Sequence, residues 1–599
     1  MLRSAPAALV TLALLGGLGC TGNPTPPPGP CRRHEEIDDA PAPPLFTPRW
    51  AFEPWISKDI SSTEDTRDFV AGFAERDIPV GVVVLDSPWE TQYNTFVPSP
   101  MRYPEFGALV SELRSEDIRV VLWITQMVNR ISLDLEPGGD FYTGPSPNYE
   151  EGLACGLFVN DGAEYGWWKG VGGALDFFDP DARGWWHRQQ DPLFELGVSG
   201  FKLDFGESYI TSPTIDTYEG ERSLQEYSER YYEDFYAYGA AKVGTTEFVT
   251  MVRPWDESYS FEGRFHARPE HAPVAWVGDN RRDFVGLADA LDHMFRSAAA
   301  GYGAVGSDIG GYLDVDDKDF TTAIPFSTLV FQRWTAVGAL SPFMQLHGRA
   351  NITPWTVPDA PEETAAIYRY WASLHHELVP FFFSLAEEAR SSGAPPILRP
   401  LGDEASWAGD YRYTLGDALL VAPVLDESGF RKVKLPEGRW HDWWSPDEAP
   451  FDGGSTVGYD AGDPQKVPLF VKDGAILPLF DAGPATGLGS EASRGLTTVL
   501  AYPGTEPTSF ALHEDDGKVT NLGAAQGEVT LSRVRATTYL RVRVEPRPMT
   551  VSVNGEVLAE LTDRAALDQA ATGWFYRASE RAVFAKLRAG DATTLSWAY

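Results

Sequence analysis

The feature that most constrains the fold is a regular alternation of short apolar runs and amphipathic segments from residue 50 to residue 307. Residues 80–85 (VGVVVL) are apolar and rich in β-branched side chains, as in a parallel strand that helices cover on both faces. The pattern predicts a helix over Phe106–Ser115 and a strand over 118–124. Further strands are predicted at 174–178, 200–205, 248–252, 274–277 and 304–307, with helices at 285–300 and 362–392. Such alternation predicts the α/β class and a (β/α)₈ TIM barrel.

Beyond residue 392 the pattern changes to short alternating runs separated by Gly, Pro and Asp, which is typical of antiparallel sheets. The first group of runs lies at 411–424, 431–435 and 468–478. A break rich in Gly, Ala and Ser at 482–494 precedes a second group at 496–502, 509–512, 529–533, 539–544 and 549–553. We therefore predict a catalytic barrel over 48–392, followed by two C-terminal antiparallel β-sandwich domains over 393–481 and 482–599.

The first 20 residues have the pattern of an export signal, with Arg3, an apolar run over 5–18 and small residues before Cys20. The pair Gly19-Cys20, followed by a Pro-rich stretch, resembles a bacterial lipoprotein signal with a flexible tether over 21–47. We expect an exported protein, lipid-anchored through Cys20 at the bacterial outer membrane or in the periplasm, with cleaved secretion as the alternative. Cys31 and Cys155 are able to form a disulfide or to remain free thiols.

Charge and hydropathy exclude two classes of partner. The formal net charge is −37, and the sequence has no basic stripe that would bind nucleic-acid phosphates. After the export signal, no segment reaches the roughly 18 uninterrupted apolar residues that a membrane-spanning helix needs. We therefore expect no nucleic-acid partner, and membrane contact only through the lipid anchor.

The residues FKLDFGE at 201–207 predict a strand that ends in a reactive carboxylate. Side chains alternate along a strand, so Lys202 and Asp204 lie on one face. Asp204 would then lie at the carboxyl end of the strand beside a positive charge that keeps it ionised. In barrels the chemistry takes place at this end of the strands, where polar residues also follow other runs, namely Asp86, Arg253, Asp279 and Asp308.

A second aspartate has the surroundings of a general acid. Asp279 follows an apolar strand and lies close to Trp276 and Gly278 in sequence, which favours desolvation and a raised pKa. Two carboxylates in opposite environments are the arrangement used for glycoside hydrolysis. The alternative is that Asp279 caps a helix or turn.

Four blocks then appear in an order that is specific to one family. They are Lys202-x-Asp204-Phe205-Gly206-Glu207, Trp276-x-Gly278-Asp279, Ser307-Asp308-Ile309-Gly310-Gly311-Tyr312, and Pro342-Phe343 through His347. Together they resemble glycoside hydrolase family 31, which contains retaining α-glucosidases, α-xylosidases, α-galactosidases and α-transglycosylases. The resemblance extends over about residues 48 to 480 and implies a TIM barrel.

The resemblance also implies roles for individual residues. Asp204 would be the nucleophile, and Asp279 the acid and base. Arg253 would contact the sugar, with Arg264 as its rival for that role. Asp86, Asp308 and His347 would bind hydroxyl groups, although Asp308 in a turn and His347 in the core are alternatives. The remaining implied substrate contacts are Lys202 and Phe205 as the floor, and Trp168 and Trp276 as stacking walls. No metal or organic cofactor is implied, because two carboxylates suffice.

The sequence departs from the family in one respect. The interval between Cys20 and Trp50 is too short for the β-sandwich that usually precedes the barrel, so we expect a member that lacks it. The substrate would be an oligosaccharide or α-glycoside, with hydrolysis of terminal α-glucosides or α-xylosides favoured. Three alternatives remain open: an α-galactosidase, an α-transglycosylase, and a non-catalytic surface carbohydrate-binding lipoprotein.

Overall fold

A computed structural model describes residues 41–133, 146–259 and 262–599. Its central feature is a parallel barrel in which strand β7 is interrupted at Ser307. One half of β7 pairs with β6 and the other half with β8, which closes the barrel. The strands are β1 (Trp55–Lys58), β2 (Val82–Leu85), β3 (Arg119–Ile124), β4 (Gly200–Leu203), β5 (Val249–Val252), β6 (Val274–Trp276), β7 (Val305–Gly306 with Asp308–Ile309) and β8 (Gln345–Leu346).

Amphipathic helices cover the outside of the barrel. They span Thr63–Ala74, Phe106–Ser115, Pro180–Glu195, Leu224–Val243, Phe284–Ala299, Thr328–Ala339, Pro361–Glu377 and Val379–Ser392. Several begin at a side chain that caps the first turn, such as Ser223, which forms a reciprocal capping box with Glu226. The predicted barrel and the helix over Phe106–Ser115 are confirmed.

One predicted barrel strand is wrong. Residues 174–178 do not enter the barrel; instead Gly170–Ala174 pairs antiparallel with Met127–Ser132 and Tyr165–Trp167 in a three-stranded sheet between β3 and the next barrel helix. Glycine permits this close approach, since a Cβ on Gly172 would lie 2.1 Å from a backbone oxygen of Val128. An apolar run alone does not distinguish a barrel strand from such an insertion.

Side chains alternate between the barrel interior and the helices, as the strand period requires. On β4, Phe201 points outward and packs against Phe194, Phe235 and Phe248. Interior positions of the strands form an apolar cluster that includes Val84, Val121, Met251, Trp276 and Phe343. The polar residues at the carboxyl ends therefore lie above a packed apolar floor.

Antiparallel sheets follow the barrel, as predicted, with one parallel pair between Thr497–Ala501 and Thr538–Arg543. The first sheet contains Leu398–Pro400, Tyr413–Leu415, Leu419–Val421, Leu469–Lys472, Arg439–Asp442 and Phe451–Asp452, and the ribbon of Phe430–Lys434 and Thr456–Asp460 packs on it. Two further sheets enclose a separate apolar core. One contains Ile476–Phe480, Thr497–Ala501, Thr538–Arg543, Ala582–Leu587 and Gly573–Arg577. The other contains Thr508–His513, Val519–Ala525, Glu528–Leu531, Thr593–Ala598, Thr550–Val553 and Glu556–Val557.

The last strand assigned to the proximal domain from the sequence pairs elsewhere. The run 468–478 divides at Asp473 and Gly474 into two strands. Leu469–Lys472 stays in the first sheet, whereas Ile476–Phe480 pairs with Thr497–Ala501 of the distal sandwich. The chain thus passes from one β-domain to the other through the polar turn Lys472-Asp473-Gly474, within a run that the sequence pattern places in a single domain.

Most of the N-terminal predictions concern residues that the structure does not describe. The export signal, residues 21–40 of the tether, Cys20 and Cys31 all lie outside the described residues. The end of the predicted tether is described and is not free of the barrel region, because the backbone N–H of Phe46 donates to the Tyr236 hydroxyl and its ring packs against Phe383. Cys155 takes part in a disulfide whose partner also lies outside them, so Cys155 is not a free thiol. Among the helices that the structure does describe, none combines the length and the apolar character needed to cross a bilayer.

Candidate active site

Arg253 joins two of the predicted carboxylates at the carboxyl end of the barrel. Its Nε lies 3.0 Å from Oδ1 of Asp204, and its Nη2 lies 3.2 Å from Oδ1 of Asp279. The strand register explains the first contact: Met251 on β5 pairs with Lys202 on β4, so the residues two positions later lie side by side. We call Asp204, Arg253 and Asp279 the arginine-bridged pair.

Three N–H groups fix the carboxylate of Asp204. Arg253 and the backbone N–H of Phe205 donate to Oδ1, the latter at 2.9 Å, and Trp123 Nε1 donates to Oδ2 at 3.0 Å. The side chain is buried but keeps 11% of its surface exposed. The predicted neighbouring cation is therefore present, but it is Arg253 that makes the direct contact, since the nearby Lys202 ammonium binds Asp86 instead.

Asp279 lies in surroundings that favour its protonated form. Burial raises the pKa of this carboxyl; Arg253 opposes that effect, and the negative charge of Asp204 adds to it. Tyr259 donates a hydrogen bond to Oδ2. Gly278 permits the close packing before Asp279, because its φ is +83° and a Cβ there would lie 2.5 Å from Nη1 of Arg253. The predicted raised pKa of Asp279 is confirmed.

Lys202 is the centre of a second group of buried charges, the lysine-centred network, which consists of Lys202, Asp59, Asp86, Asp308 and His347. The Lys202 ammonium lies 2.8 Å from Oδ2 of Asp86 and 3.3 Å from Nδ1 of His347. Burial favours the neutral amine, but the carboxylates outweigh it and raise the pKa of Lys202. Lys202 and His347 in turn outweigh burial at Asp86 and lower the pKa of that carboxyl.

His347 connects three carboxylates of the network. Its Nε2 lies 2.9 Å from Asp59 and 3.8 Å from Asp86, and its Nδ1 lies 3.5 Å from Asp308. Burial and Lys202 favour the neutral imidazole, but Asp59 and Asp308 outweigh them and raise the pKa of His347 to about 10. Asp308 also accepts a hydrogen bond from Gln345 at 2.6 Å. Both His347 and Asp308 are 1% exposed, so each is part of a buried ion network.

The network contains a set of atoms that could suit a metal ion. One ligand atom each from Asp59, Asp86 and His347 lies within 4.8 Å of the others. However, the ammonium of Lys202 already contacts Asp86 and His347, and the imidazole is held by carboxylates. Lys202 therefore supplies the positive charge that a divalent cation would otherwise bring, and these residues do not fit a metal site.

The predicted aromatic contacts differ in exposure. Trp168 is half-buried and its ring lies 6.2 Å from that of Phe205, next to Asp204. Phe205 is buried and lies beneath the Arg253 guanidinium at 3.8 Å. Trp276 is completely buried below Arg253 and Lys202. Trp276 thus supports the two cations and offers no exposed face for stacking in this structure, whereas part of Trp168 remains exposed.

The structure shows which of the two candidate arginines contacts the reacting carboxylates: it is Arg253 and not Arg264. It also adds residues to the site that the sequence did not indicate. Arg264 is directed away from the pair and lies 3.6 Å from Glu207. Trp123 contacts Asp204 and Tyr259 contacts Asp279, and the sequence pattern singles out neither residue. Asp59 was also missed, although it follows β1 as Asp86 follows β2, and Lys58 pairs with Leu85. Recognition of the short strand β1 would have found it.

Comparison with known proteins identifies the barrel and the sheet that follows it. Residues 44–385 match the family model described as the glycosyl hydrolases family 31 TIM-barrel domain. Residues 394–477 match the glycosyl hydrolase family 31 C-terminal domain. The first match alone covers more than half of the chain.

The individual relatives share only about a quarter of their aligned residues with this chain. The chain is 25% identical to an isomaltosyltransferase of Sporosarcina globispora over 91% of this chain and 52% of that protein. It is also 25% identical to an α-xylosidase of Emericella nidulans over 73% of this chain and 54% of that protein. The chain therefore spans about half the length of these relatives.

Two solved structures show the same fold. A cycloalternan-forming enzyme from Listeria monocytogenes, in complex with a pentasaccharide substrate, superposes with a TM-score of 0.78 at 21% identity, over 93% of this chain and 55% of that one. A Flavobacterium johnsoniae dextranase, complexed with glucose, gives 0.71 at 20% identity, over 93% of this chain and 71% of that one.

Proposed function

The chain belongs to glycoside hydrolase family 31, and we propose that it is a retaining α-glycosidase that hydrolyses terminal α-linked sugars through a covalent glycosyl-aspartate intermediate. The observation that carries the proposal is the arginine-bridged pair. Two carboxylates at the ends of β4 and β6, oriented by one buried guanidinium at the end of the intervening strand β5, are the groups that the two steps of retention require.

In the first step Asp204 attacks the anomeric carbon while Asp279 donates its proton to the leaving oxygen. The hydrogen bonds from Trp123, Phe205 and Arg253 orient the attacking carboxylate, and the buried surroundings of Asp279 favour the protonated form that a general acid needs. In the second step water replaces the leaving group, and Asp279, now ionised, removes its proton as the water attacks the sugar ester.

The lysine-centred network would hold the sugar in place. Asp86 is its most exposed carboxylate, at 8% of the side chain, and we assign it hydroxyl binding in the innermost subsite. Asp308 and His347 complete the polar wall behind it, and Lys202 fixes their arrangement. The half-buried Trp168 supplies apolar surface next to Asp204, and the buried Phe205 supports the Arg253 guanidinium. No step of this mechanism needs a metal ion or an organic cofactor.

The substrate class is the finer part of the proposal. α-Glucosides and α-xylosides are favoured because the relatives include an α-glucosidase and α-xylosidases. A transglycosylase is a second candidate, because the isomaltosyltransferase matches the largest share of the chain among the relatives named above. Analysis of products at high substrate concentration distinguishes the two, since transfer yields longer saccharides and hydrolysis yields free sugar.

The test is a screen of aryl α-glucoside, α-xyloside and α-galactoside, with the configuration of the first-formed sugar determined by NMR. We expect turnover of at least one substrate with retention, and loss of turnover by about 10⁴-fold or more in Asp204→Asn. Asp234→Asn is the matched control, because it makes the same substitution at another buried aspartate. Asp234 binds His187 and does not contact the arginine-bridged pair. Inversion, or an active Asp204→Asn variant, would overturn the proposal, and a lack of turnover across a broad panel would favour the binding protein.

Export and lipidation at Cys20 form a separate proposal that rests on the sequence of residues 1–20. Expression in a bacterial host with an alkyne-labelled fatty acid should label the chain, and Cys20→Ser should remove the label. Labelling of the Cys20→Ser variant would contradict lipidation, and an unlabelled soluble wild-type protein in the medium would favour cleaved secretion.

A further inference from the structure

Tyr259 lies where no strand or helix explains its position. It belongs to the long connection between β5 and β6, outside the ladder formed by Trp255–Asp256 and Arg264–Phe265. Its φ is +63°, in the left-handed region that is costly for a residue with a side chain. Surrounding contacts must therefore maintain this conformation, and such strained positions are concentrated at functional sites.

The segment after β7 supplies these contacts. Lys318 Nζ donates to the backbone oxygen of Tyr259 at 2.6 Å and to that of Glu257 at 2.9 Å. The backbone N–H of Tyr259 donates to the carboxylate of Asp317 at 3.2 Å. Both polar groups of the Tyr259 backbone are thus held by one neighbouring loop, which fixes the turn against the barrel.

The side chain is fixed as well. The Tyr259 ring stacks between Phe205, at a centroid distance of 5.9 Å and an interplanar angle of 17°, and Phe320, at 5.4 Å and 8°. This arrangement directs the hydroxyl to Oδ2 of Asp279, while Arg253 contacts Oδ1. Asp279 is therefore held on both oxygens, by a cation from β5 and by a neutral donor from the loop.

We propose that Tyr259 is a positioning residue for Asp279, and that its hydroxyl sets the orientation and the protonation of this carboxyl when Asp279 exchanges a proton with the leaving group. The inference rests on the proposed function, in which Asp279 is the acid and base. It adds a residue from a long loop to a site otherwise built from strand ends. The charged and titratable groups that face Asp279 are Arg253 from β5, Asp204 and Lys202 from β4, Tyr209 from the turn after β4, and Tyr259 itself.

The sign of the effect follows from the direction of the hydrogen bond. A hydroxyl that donates to a carboxylate stabilises its ionised form. In Tyr259→Phe this donor is lost, so Asp279 stays protonated to a higher pH. We expect the basic limb of the pH profile of kcat/KM to move up by about one pH unit, the order expected for one hydrogen bond to a carboxylate.

A second readout separates positioning from a general structural role. A misplaced acid matters most when the leaving group needs a proton, so Tyr259→Phe should lower kcat/KM about tenfold on an unactivated disaccharide and less than about threefold on a nitrophenyl glycoside. Lys318→Met, which removes both contacts to backbone oxygens, should act in the same direction with a smaller effect. Tyr302→Phe is the matched control, because the Tyr302 hydroxyl donates to a backbone oxygen, that of Ala267, and not to Asp279.

A measurement independent of turnover completes the test. The Asp279 carboxyl resonance in protein labelled with [¹³Cγ]aspartate is identified by its loss in Asp279→Asn, and its titration midpoint should be higher in Tyr259→Phe than in the wild type. An unchanged midpoint with an unchanged basic limb, or a shift to lower pH, would overturn the role of Tyr259. If the wild type hydrolyses no glycoside, the proposed function fails, and the NMR titration still decides whether Tyr259 controls Asp279.

Discussion

The two buried cations of the pocket, Arg253 and Lys202, hold carboxylates for different purposes. Arg253 joins Asp204 and Asp279, whose side chains keep 11% and 13% of their surface exposed. Lys202 belongs to a network in which His347 and Asp308 are each 1% exposed. The arginine-bridged pair therefore presents its carboxylates to a ligand, whereas the lysine-centred network is a buried framework that reaches the pocket mainly through Asp86.

This difference teaches that a buried charge cluster in a barrel can serve either chemistry or positioning. The pair combines a carboxylate fixed by N–H donors with one whose pKa burial raises, which is how acid and nucleophile are distinguished. The network balances three carboxylates against Lys202 and His347, so its charges largely cancel. We therefore expect damage to the pair to act on kcat, and damage to the network to act on KM and stability.

Arg253→Met should have the largest effect. It leaves Asp204, Asp256 and Asp279 without their shared cation, and an uncompensated buried charge costs about 3–5 kcal/mol of folding free energy. We expect kcat/KM to fall by about 10³-fold, mainly through kcat. Steady-state kinetics and denaturant unfolding measure the two effects, and a change confined to KM would contradict the assignment of Arg253 to the reacting pair.

Lys202→Met should have a smaller effect on turnover and a different kinetic signature. It removes the contact to Asp86 and disturbs the network, so the sugar should bind less tightly while the reacting carboxylates keep Arg253. We expect a loss of about 10² in kcat/KM that appears mostly in KM. If kcat falls more in Lys202→Met than in Arg253→Met, the distinction between the two regions is wrong.

The network should also make stability depend on pH. The pKa of His347 is raised from 6.5 to about 10, so its protonated form contributes stability that is fully present below pH 6.5 and is lost as the pH rises through 10. The difference in unfolding free energy between wild type and His347→Gln should be on the order of 3 kcal/mol at pH 6 and should shrink toward pH 10. Denaturant titrations across this range provide the measurement, and a constant or growing difference would exclude the charged network.

Arg264→Met should have the smallest effect and serves as a control for Arg253. Arg264 contacts Glu207 and Gln225 rather than either reacting carboxylate. We expect a change of less than about threefold in kcat/KM on all substrates, as for a residue outside the reacting pair. A loss comparable to that of Arg253→Met would restore Arg264 as the sugar-binding arginine.

Periodicity predicted the barrel because strands buried on both faces and amphipathic helices have different repeats. The sequence also predicts where β4 and β6 end, because Asp204 and Asp279 interrupt apolar runs. A barrel has its active site at these carboxyl ends of the strands. The four-residue strand β1 was overlooked, and with it Asp59. Residues 174–178 were placed in the barrel because a short apolar run gives no sign of its pairing partner.

The sequence predicted which residues belong to the site better than it predicted which of their side chains contact each other. Lys202 lies two residues before Asp204, yet its ammonium binds Asp86 on another strand, because register and barrel closure determine which inward-facing groups meet. Trp123 lies within an apolar run that predicts packing, but its indole N–H reaches Asp204. Tyr259 depends on contacts between two loops, for which sequence spacing carries no signal.

Trapping the covalent intermediate tests the central claim most directly. A 5-fluoroglycosyl fluoride of the sugar that the protein hydrolyses should form a slowly hydrolysed glycosyl-enzyme, which peptic digestion and mass spectrometry can map. We predict one sugar adduct on Asp204, absent in Asp204→Asn and retained in Arg264→Met. An adduct on Asp86 or Asp279, or hydrolysis with inversion and no adduct, would contradict the account of Asp204 as the nucleophile of the arginine-bridged pair.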